Sequence, residues 1–168
     1  NELSFVDIKS KKFFIYKNKK LKVHNLPFSI SCLIPTKKRG QWVAATQNQI
    51  IKIFFLNKKI KIVNLKSFEE PKNNRFNDGK CDHLGRLWIS SMDKNEKLKT
   101  GKLWCFKNSK NFFEIEKGFI IGNGIDWSPD KKKMYFVASD KRIVYAYKFN
   151  KRTGKVSNKI DLIRVPKK

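Results

Sequence analysis

No stretch of this 168-residue chain keeps a helical period for three turns. What recurs is a series of short runs rich in β-branched and aromatic residues: LSFVDI, KFFIYK, QWVAAT, IIKIFFL, KIKIVNL, RLWISSM, KLWCFK, FFEIEK, KMYFVAS and RIVYAYKF. Clusters of Lys, Asn, Gly and Asp separate them, so each run reads as a strand and most neighbours as hairpins. The chain is therefore all-β, and its architecture turns on whether the strands repeat.

They do. Aligning KKRGQWVAAT, DHLGRLWISS and PDKKKMYFVAS places the aromatic residue after each turn at Trp42, Trp88 and Tyr135, 46 and 47 residues apart. A period in the forties that carries four short strands marks a β-propeller blade, with an up-and-down sandwich as the structural alternative. In this register LSFVDI, KFFIYK and KLKVHNL form a three-stranded partial blade, and fuller blades cover residues 28–66, 74–117 and 121–165. The expectation is a single partial propeller domain, 1–168, of about three and three-quarter blades in an open arc. Its innermost strands would begin near Ser31, Asn77 and Asn123. The last two lie 46 residues apart, so they should hold equivalent positions at one mouth of the propeller, a place suited to a ligand or metal. Asn77-Asp78-Gly79 and Asn123-Gly124 are also turn signals, because Asn and Gly tolerate positive φ, and both readings stay open here. Asp126, Asp130 and Asp140 read as turn residues, and His24 and His83 as surface or turn histidines.

A net charge of +25 and a pI near 10.1 would ordinarily suggest nucleic acid or an anionic membrane. However, 33 of the 39 basic residues are Lys, spread along the chain beside abundant Asn, Ile and Phe. A phosphate reader would cluster its charge and favour Arg, whose fork matches phosphate geometry. No specific nucleic-acid or membrane partner is expected. Cys32, Cys81 and Cys105 fit neither a compact disulfide framework nor a zinc ribbon and read as buried, reduced thiols of a cytoplasmic protein. No segment reaches the about 18 consecutive apolar residues of a membrane span. The opening NELSFVDI starts within a strand pattern, without an initiating Met or a signal region, which suggests a trimmed or truncated N-terminus. No G-x-S-x-G elbow, P-loop or H-E-x-x-H occurs, so serine-hydrolase, nucleotide and zinc-protease readings have no motif behind them.

The stretches NNRFNDGKCDHLGRLWISSM and GNGIDWSPDKKKMYFV, together with LSFVDI, resemble the SMP-30/gluconolactonase family, which includes regucalcin and luciferin-regenerating enzyme. The resemblance runs over nearly the whole chain, in order. It implies a six-bladed propeller about twice this long that uses a divalent cation, Ca²⁺ or Zn²⁺, to hydrolyse sugar lactones. By resemblance Asn123 in I-G-N-G-I-D-W matches a metal ligand, and Arg75 and Asn77 in N-R-F-N-D-G match substrate-contacting residues. A neutral amide oxygen would ligate a hard cation without cancelling its charge, and a fixed guanidinium and amide could hold hydroxyls or an oxyanion.

The family's G-E-S-P stretch, with a carboxylate ligand, would lie upstream of LSFVDI. Its P-D-G stretch, with another ligand that is also the general base, would follow residue 168, which leaves the catalytic residue unassigned. Glu2 sits in the wrong strand to replace the first, and the family's strand-end Asp gives way to Ala138. The resemblance thus implies metal-dependent lactone hydrolysis that is weak or absent in these 168 residues, with the cation weakly bound if at all and self-association through exposed blade flanks. The alternative is a noncatalytic, basic interaction module. Retention on heparin or DNA is expected to fall steeply with salt and to ignore sequence, because dispersed lysines supply charge without base readout; a preference for one DNA sequence at equal length would contradict this.

Overall fold

The computed structural model describes residues 2–56 and 59–166. Fifteen strands form four antiparallel sheets, with no helix among the described residues and so none long and apolar enough to cross a membrane. The first sheet has three strands, β1 (Glu2–Asp7), β2 (Lys12–Lys17) and β3 (Lys20–Asn25). Each of the others has four, in chain order. They are β4 (Cys32–Pro35), β5 (Gln41–Ala45), β6 (Gln49–Leu56) and β7 (Lys59–Ser67); β8 (Asn74–Cys81), β9 (Leu87–Asp93), β10 (Gly101–Asn108) and β11 (Asn111–Phe119); and β12 (Gly122–Trp127), β13 (Lys133–Ala138), β14 (Ile143–Phe149) and β15 (Val156–Arg164). The partial blade and the three fuller ones stand as the sequence period implied, within a few residues.

Local chemistry sets the hairpins. Asn18 and Lys19, with φ of 49° and 58°, make the two-residue turn that brings Lys17 opposite Lys20, a twist suited to joining two strands. Asp7 accepts from the Ser10 backbone and hydroxyl between β1 and β2, at 2.9 and 2.8 Å.

The tryptophan alignment is off by one residue. Equivalent turn hydrogen bonds run from Thr36 N to Gln41 O, Asp82 N to Arg86 O and Ser128 N to Lys133 O. In that frame Trp42 matches Leu87 and Met134, whereas Trp88 matches Tyr135. Trp42 stands one residue after the turn hydrogen bond, whereas Trp88 and Tyr135 stand two after theirs, and a one-residue offset moves a side chain to the opposite face. Trp42 accordingly packs against Phe13 of the first sheet, with ring centroids 5.3 Å apart, while Trp88 packs against Trp127 and Phe149 of the fourth, at 5.9 and 5.8 Å.

The chain divides into two compact units, Asn1–Glu69 and Glu70–Lys168. In the first, Phe13, Leu26, Ile30, Trp42, Ala44, Ile51 and Ile53 form a core between two sheets. His24 belongs to this layer, its ring 4.2 Å from that of Phe55 and 5.8 Å from that of Phe13; it is a half-buried strand residue rather than a surface or turn histidine, and burial pushes its pKa down. His83 does lie in a turn, exposed. The other face of the first sheet leaves Leu3, Phe5, Tyr16, Leu21 and Val23 exposed.

In the second unit, Trp88, Leu103, Cys105 and Phe119 pack against Met134, Phe136, Tyr145, Tyr147 and Phe149. Glu116 of β11 joins the two sheets, accepting from the Tyr147 hydroxyl and the Lys159 ammonium. A buried ion pair does so at the other end. Arg86 Nε donates to Asp82 Oδ2 at 2.5 Å, its Nη1 and Nη2 donate to the carbonyls of Arg152 and Lys151 at 3.0 and 2.8 Å, and Trp88 Nε1 donates to the same Asp82 oxygen at 3.1 Å. Cys81 and Cys105 are free, and burial pushes their thiols up to about 11 and about 12, so they stay protonated and unreactive near neutral pH.

Removing one partner of a buried pair leaves the other charge desolvated. Arg86→Ala is therefore expected to cost about 3–5 kcal/mol of unfolding free energy, read from urea denaturation. A loss under about 1 kcal/mol would show that the loop carbonyls and the pair do not clamp the two sheets.

Candidate functional site

The site begins with two bulges. Between Phe76 and Gly79 strand β8 carries one residue more than β9, and between Asn123 and Ile125 strand β12 carries one more than β13. The Asn77-Asp78-Gly79 signal is thus neither a hairpin nor a strand start. β8 begins at Asn74, and Asn77 sits within it at a bulge. Asn123-Gly124 makes the equivalent bulge, with Gly124 at φ 49°. Asn77 and Asn123 hold matching positions on the first strands of successive sheets, as their spacing implied.

The bulges tie the two strands together. Asn77 Nδ2 donates to Gly122 O at 2.9 Å, while Asn77 Oδ1 accepts from Arg75 Nη1 at 2.8 Å. The same Arg75 nitrogen donates to Phe76 O at 3.0 Å. Arg75, Asn77 and the backbone entering Asn123 therefore form one relay. Close approach is built in: a Cβ on Gly122 would lie 2.6 Å from both Phe119 Cε2 and Ser90 Cβ. Arg75 is half-buried, and burial pulls its pKa down, with Glu96 acting in the opposite direction. Among the described residues it has no salt-bridge partner, and its Nε and Nη2 donors make no hydrogen bond, which leaves a planar cationic fork available to a ligand oxygen.

Asn123 is exposed, and among the described residues its Oδ1 accepts only from the Gly124 backbone, at 3.0 Å. Asp126 is a strand residue and not a turn residue. Its Oδ2 pairs with Lys80 Nζ of β8 at 2.8 Å, an interaction that sequence reasoning missed because both residues look like surface charge. Asp130 is the turn residue expected, bonded to Ser128 Oγ at 2.6 Å. Asp140 does more than turn the chain, accepting from Ile121 N at 3.1 Å where β12 begins.

A divalent cation takes many oxygen ligands, usually with several carboxylates. Among the described residues no three His, Cys, Asp or Glu side chains come together. Asp126 is held by Lys80 and Asp78 Oδ1 by Gly79 N at 2.9 Å, so Asn123 is left with one neutral amide oxygen to offer. The donor set present does not fit a divalent cation.

Lys80 first, then burial acting the other way and the Trp127 backbone N–H, sets the Asp126 pKa, which ends below its ordinary 3.8. A depressed carboxyl pKa contributes stability above the unfolded value and loses it as pH falls through the folded one. The pair is exposed, so the contribution is small. Lys80→Met is expected to return the Asp126 titration, followed by carboxyl ¹³C NMR, toward 3.8. An unchanged titration would mean that the pair does not form in solution.

The geometry meets its relatives here. Residues 1–168 match the family described as SMP-30/Gluconolactonase/LRE-like region. A protein of Sulfolobus acidocaldarius is 34% identical across 97% of this chain and 58% of its own. Bovine (Bos taurus) regucalcin is 27% identical across 99% and 58%. A structure of luciferin-regenerating enzyme superposes with a TM-score of 0.86 at 32% identity, over 97% of this chain and 57% of that one. The chain thus spans less than two thirds of the length of these relatives, and its sheets are the blades of their β-propeller. It belongs to the SMP-30/gluconolactonase/LRE-like family.

Proposed function

We propose that this chain carries the substrate-contacting part of a sugar-lactone site of the regucalcin/gluconolactonase type. The observation that supports this is the relay from Arg75 through Asn77 to Gly122 O, which holds a guanidinium and an amide in place before any ligand arrives. A lactone presents hydroxyls and an ester carbonyl that becomes an oxyanion on attack by water. Donors that need no reorganisation stabilise that charge best. In this role the free edge of the Arg75 fork binds substrate oxygens and Asn77 fixes the angle of the fork. Asn123 would give its amide oxygen to a cation, Ca²⁺ or Zn²⁺, but retention of that ion needs carboxylates that the described residues do not bring to it. Asp126 is a poor general base while Lys80 neutralises it.

The 168-residue chain is therefore expected to show no chelator-sensitive hydrolysis of sugar lactones. Clear metal-dependent turnover by it would overturn the conclusion about its donor set. In a protein that joins this chain to the further blades its relatives carry, assayed with and without chelator, Asn123→Ala should weaken metal affinity. Arg75→Ala should raise KM or slow turnover with metal affinity unchanged. Identical metal titrations and kinetics in both variants would refute the two roles.

A further inference from the structure

We propose that Glu70 is a positioning residue for Arg75 and Asn77, an inference that rests on reading those two as a sugar-lactone site. Glu70 lies on the segment leading into β8, four residues before Asn74. Its carboxylate gathers donors from three adjacent strands. Trp104 Nε1 of β10 donates to Oε1 at 2.8 Å, while Asn74 Nδ2 of β8 and Ser91 Oγ of β9 donate to Oε2 at 2.9 and 3.0 Å.

The surroundings are built for a carboxylate. Asn74 and Ser91 are fully buried. Asn74 also exchanges hydrogen bonds with Thr100, donating to its carbonyl at 2.9 Å and accepting from its hydroxyl at 2.7 Å. Ser91 Oγ accepts from Lys102 N at 3.0 Å, so its own proton is committed to Glu70. All three side chains hydrogen-bonded to Glu70 among the described residues are donors, and an acceptor-only side chain satisfies all of them. No Lys or Arg forms a salt bridge with it among the described residues, so its charge works through these neutral donors.

The consequence reaches Arg75 through the backbone. Only Arg75 and Phe76 separate Asn74 from the bulge, and the register on either side of a bulge sets where the side chains around it point. Downstream, Ser90 Oγ donates to Asp78 O at 3.2 Å. Upstream, Glu70 fixes Asn74. Arg75 and Asn77 lie between the two anchors, so the fork angle and the Asn77–Gly122 hydrogen bond depend on Glu70, which touches neither.

The test uses side-chain hydrogen exchange by ¹⁵N NMR on the 168-residue chain. The Asn77 Nδ2 protons, assigned through Asn77→Asp, report the site. The Arg86 Nε proton in the Asp82 pair reports general loosening of the same unit, and with only six arginines in the chain it is readily assigned. Glu70→Gln replaces an acceptor with a donor among donors. It is expected to speed Asn77 exchange by about tenfold or more, the scale of losing a charge-assisted hydrogen bond, while Arg86 stays unchanged. Trp104→Phe removes one donor only and should act in the same sense but less, which keeps the test open if Glu70→Gln does not fold. Unchanged Asn77 exchange, or equal acceleration at Asn77 and Arg86, would overturn the proposal. Because the readout is exchange and not turnover, a failure of the lactone reading leaves this result standing.

Discussion

Among the described residues there are only strands to cover a sheet, so a four-stranded sheet buries a face here by packing against another sheet, and this requirement governs the molecule more than any single side chain does. In the second unit the interlock of Trp88, Phe119, Phe136 and Phe149 satisfies it for one face of each sheet. The apolar layer then brings β8 and β12 close enough for Asn77 to reach Gly122 O, and it brings Asp82–Arg86 and Glu116 to the positions where they tie the sheets at their edges. The polar ties do not create the association. They fix its register, because a buried donor or charge is satisfied at only one setting of the two sheets.

The innermost strands β8 and β12 were not legible in the sequence as strands, whereas the strands beyond them in each sheet were. β2, β6, β10 and β14 are runs dense in aromatic and aliphatic residues, without a sustained helical period. β8, written NRFNDGKC, and β12, written GNGIDW, hold Asn, Gly and Asp, which disfavour strands and favour turns. Only the repeat length pointed to them. The repeat itself was misread by one residue at Trp42, because Trp42 directly follows the turn residue Gln41 whereas Trp88 and Tyr135 stand two residues after Arg86 and Lys133, and aromatic identity is a weaker marker than a turn hydrogen bond.

The candidate site shows the same division. Arg75, Asn77 and Asn123 could be named from their motifs, and the equivalence of the two asparagines from their spacing. The Lys80–Asp126 pair and the Glu70 network could not, since each depends on which residues two different strands place side by side. Motif reading also left Asp126 as a turn residue. In the fold it is a strand carboxylate whose charge is already spoken for, and this removes it as a ready substitute for a metal ligand or base.

The acceptor for Asn77 is a main-chain oxygen, and the residue that owns it is a glycine wedged against Phe119 and Ser90. Position 122 is therefore blind to chemistry and strict about volume. Any residue would present the same carbonyl, yet even a methyl group would force the two strands apart. Random substitution at this point damages the site through displacement alone, so the spacing between neighbouring backbones acts as the ruler by which the guanidinium is set.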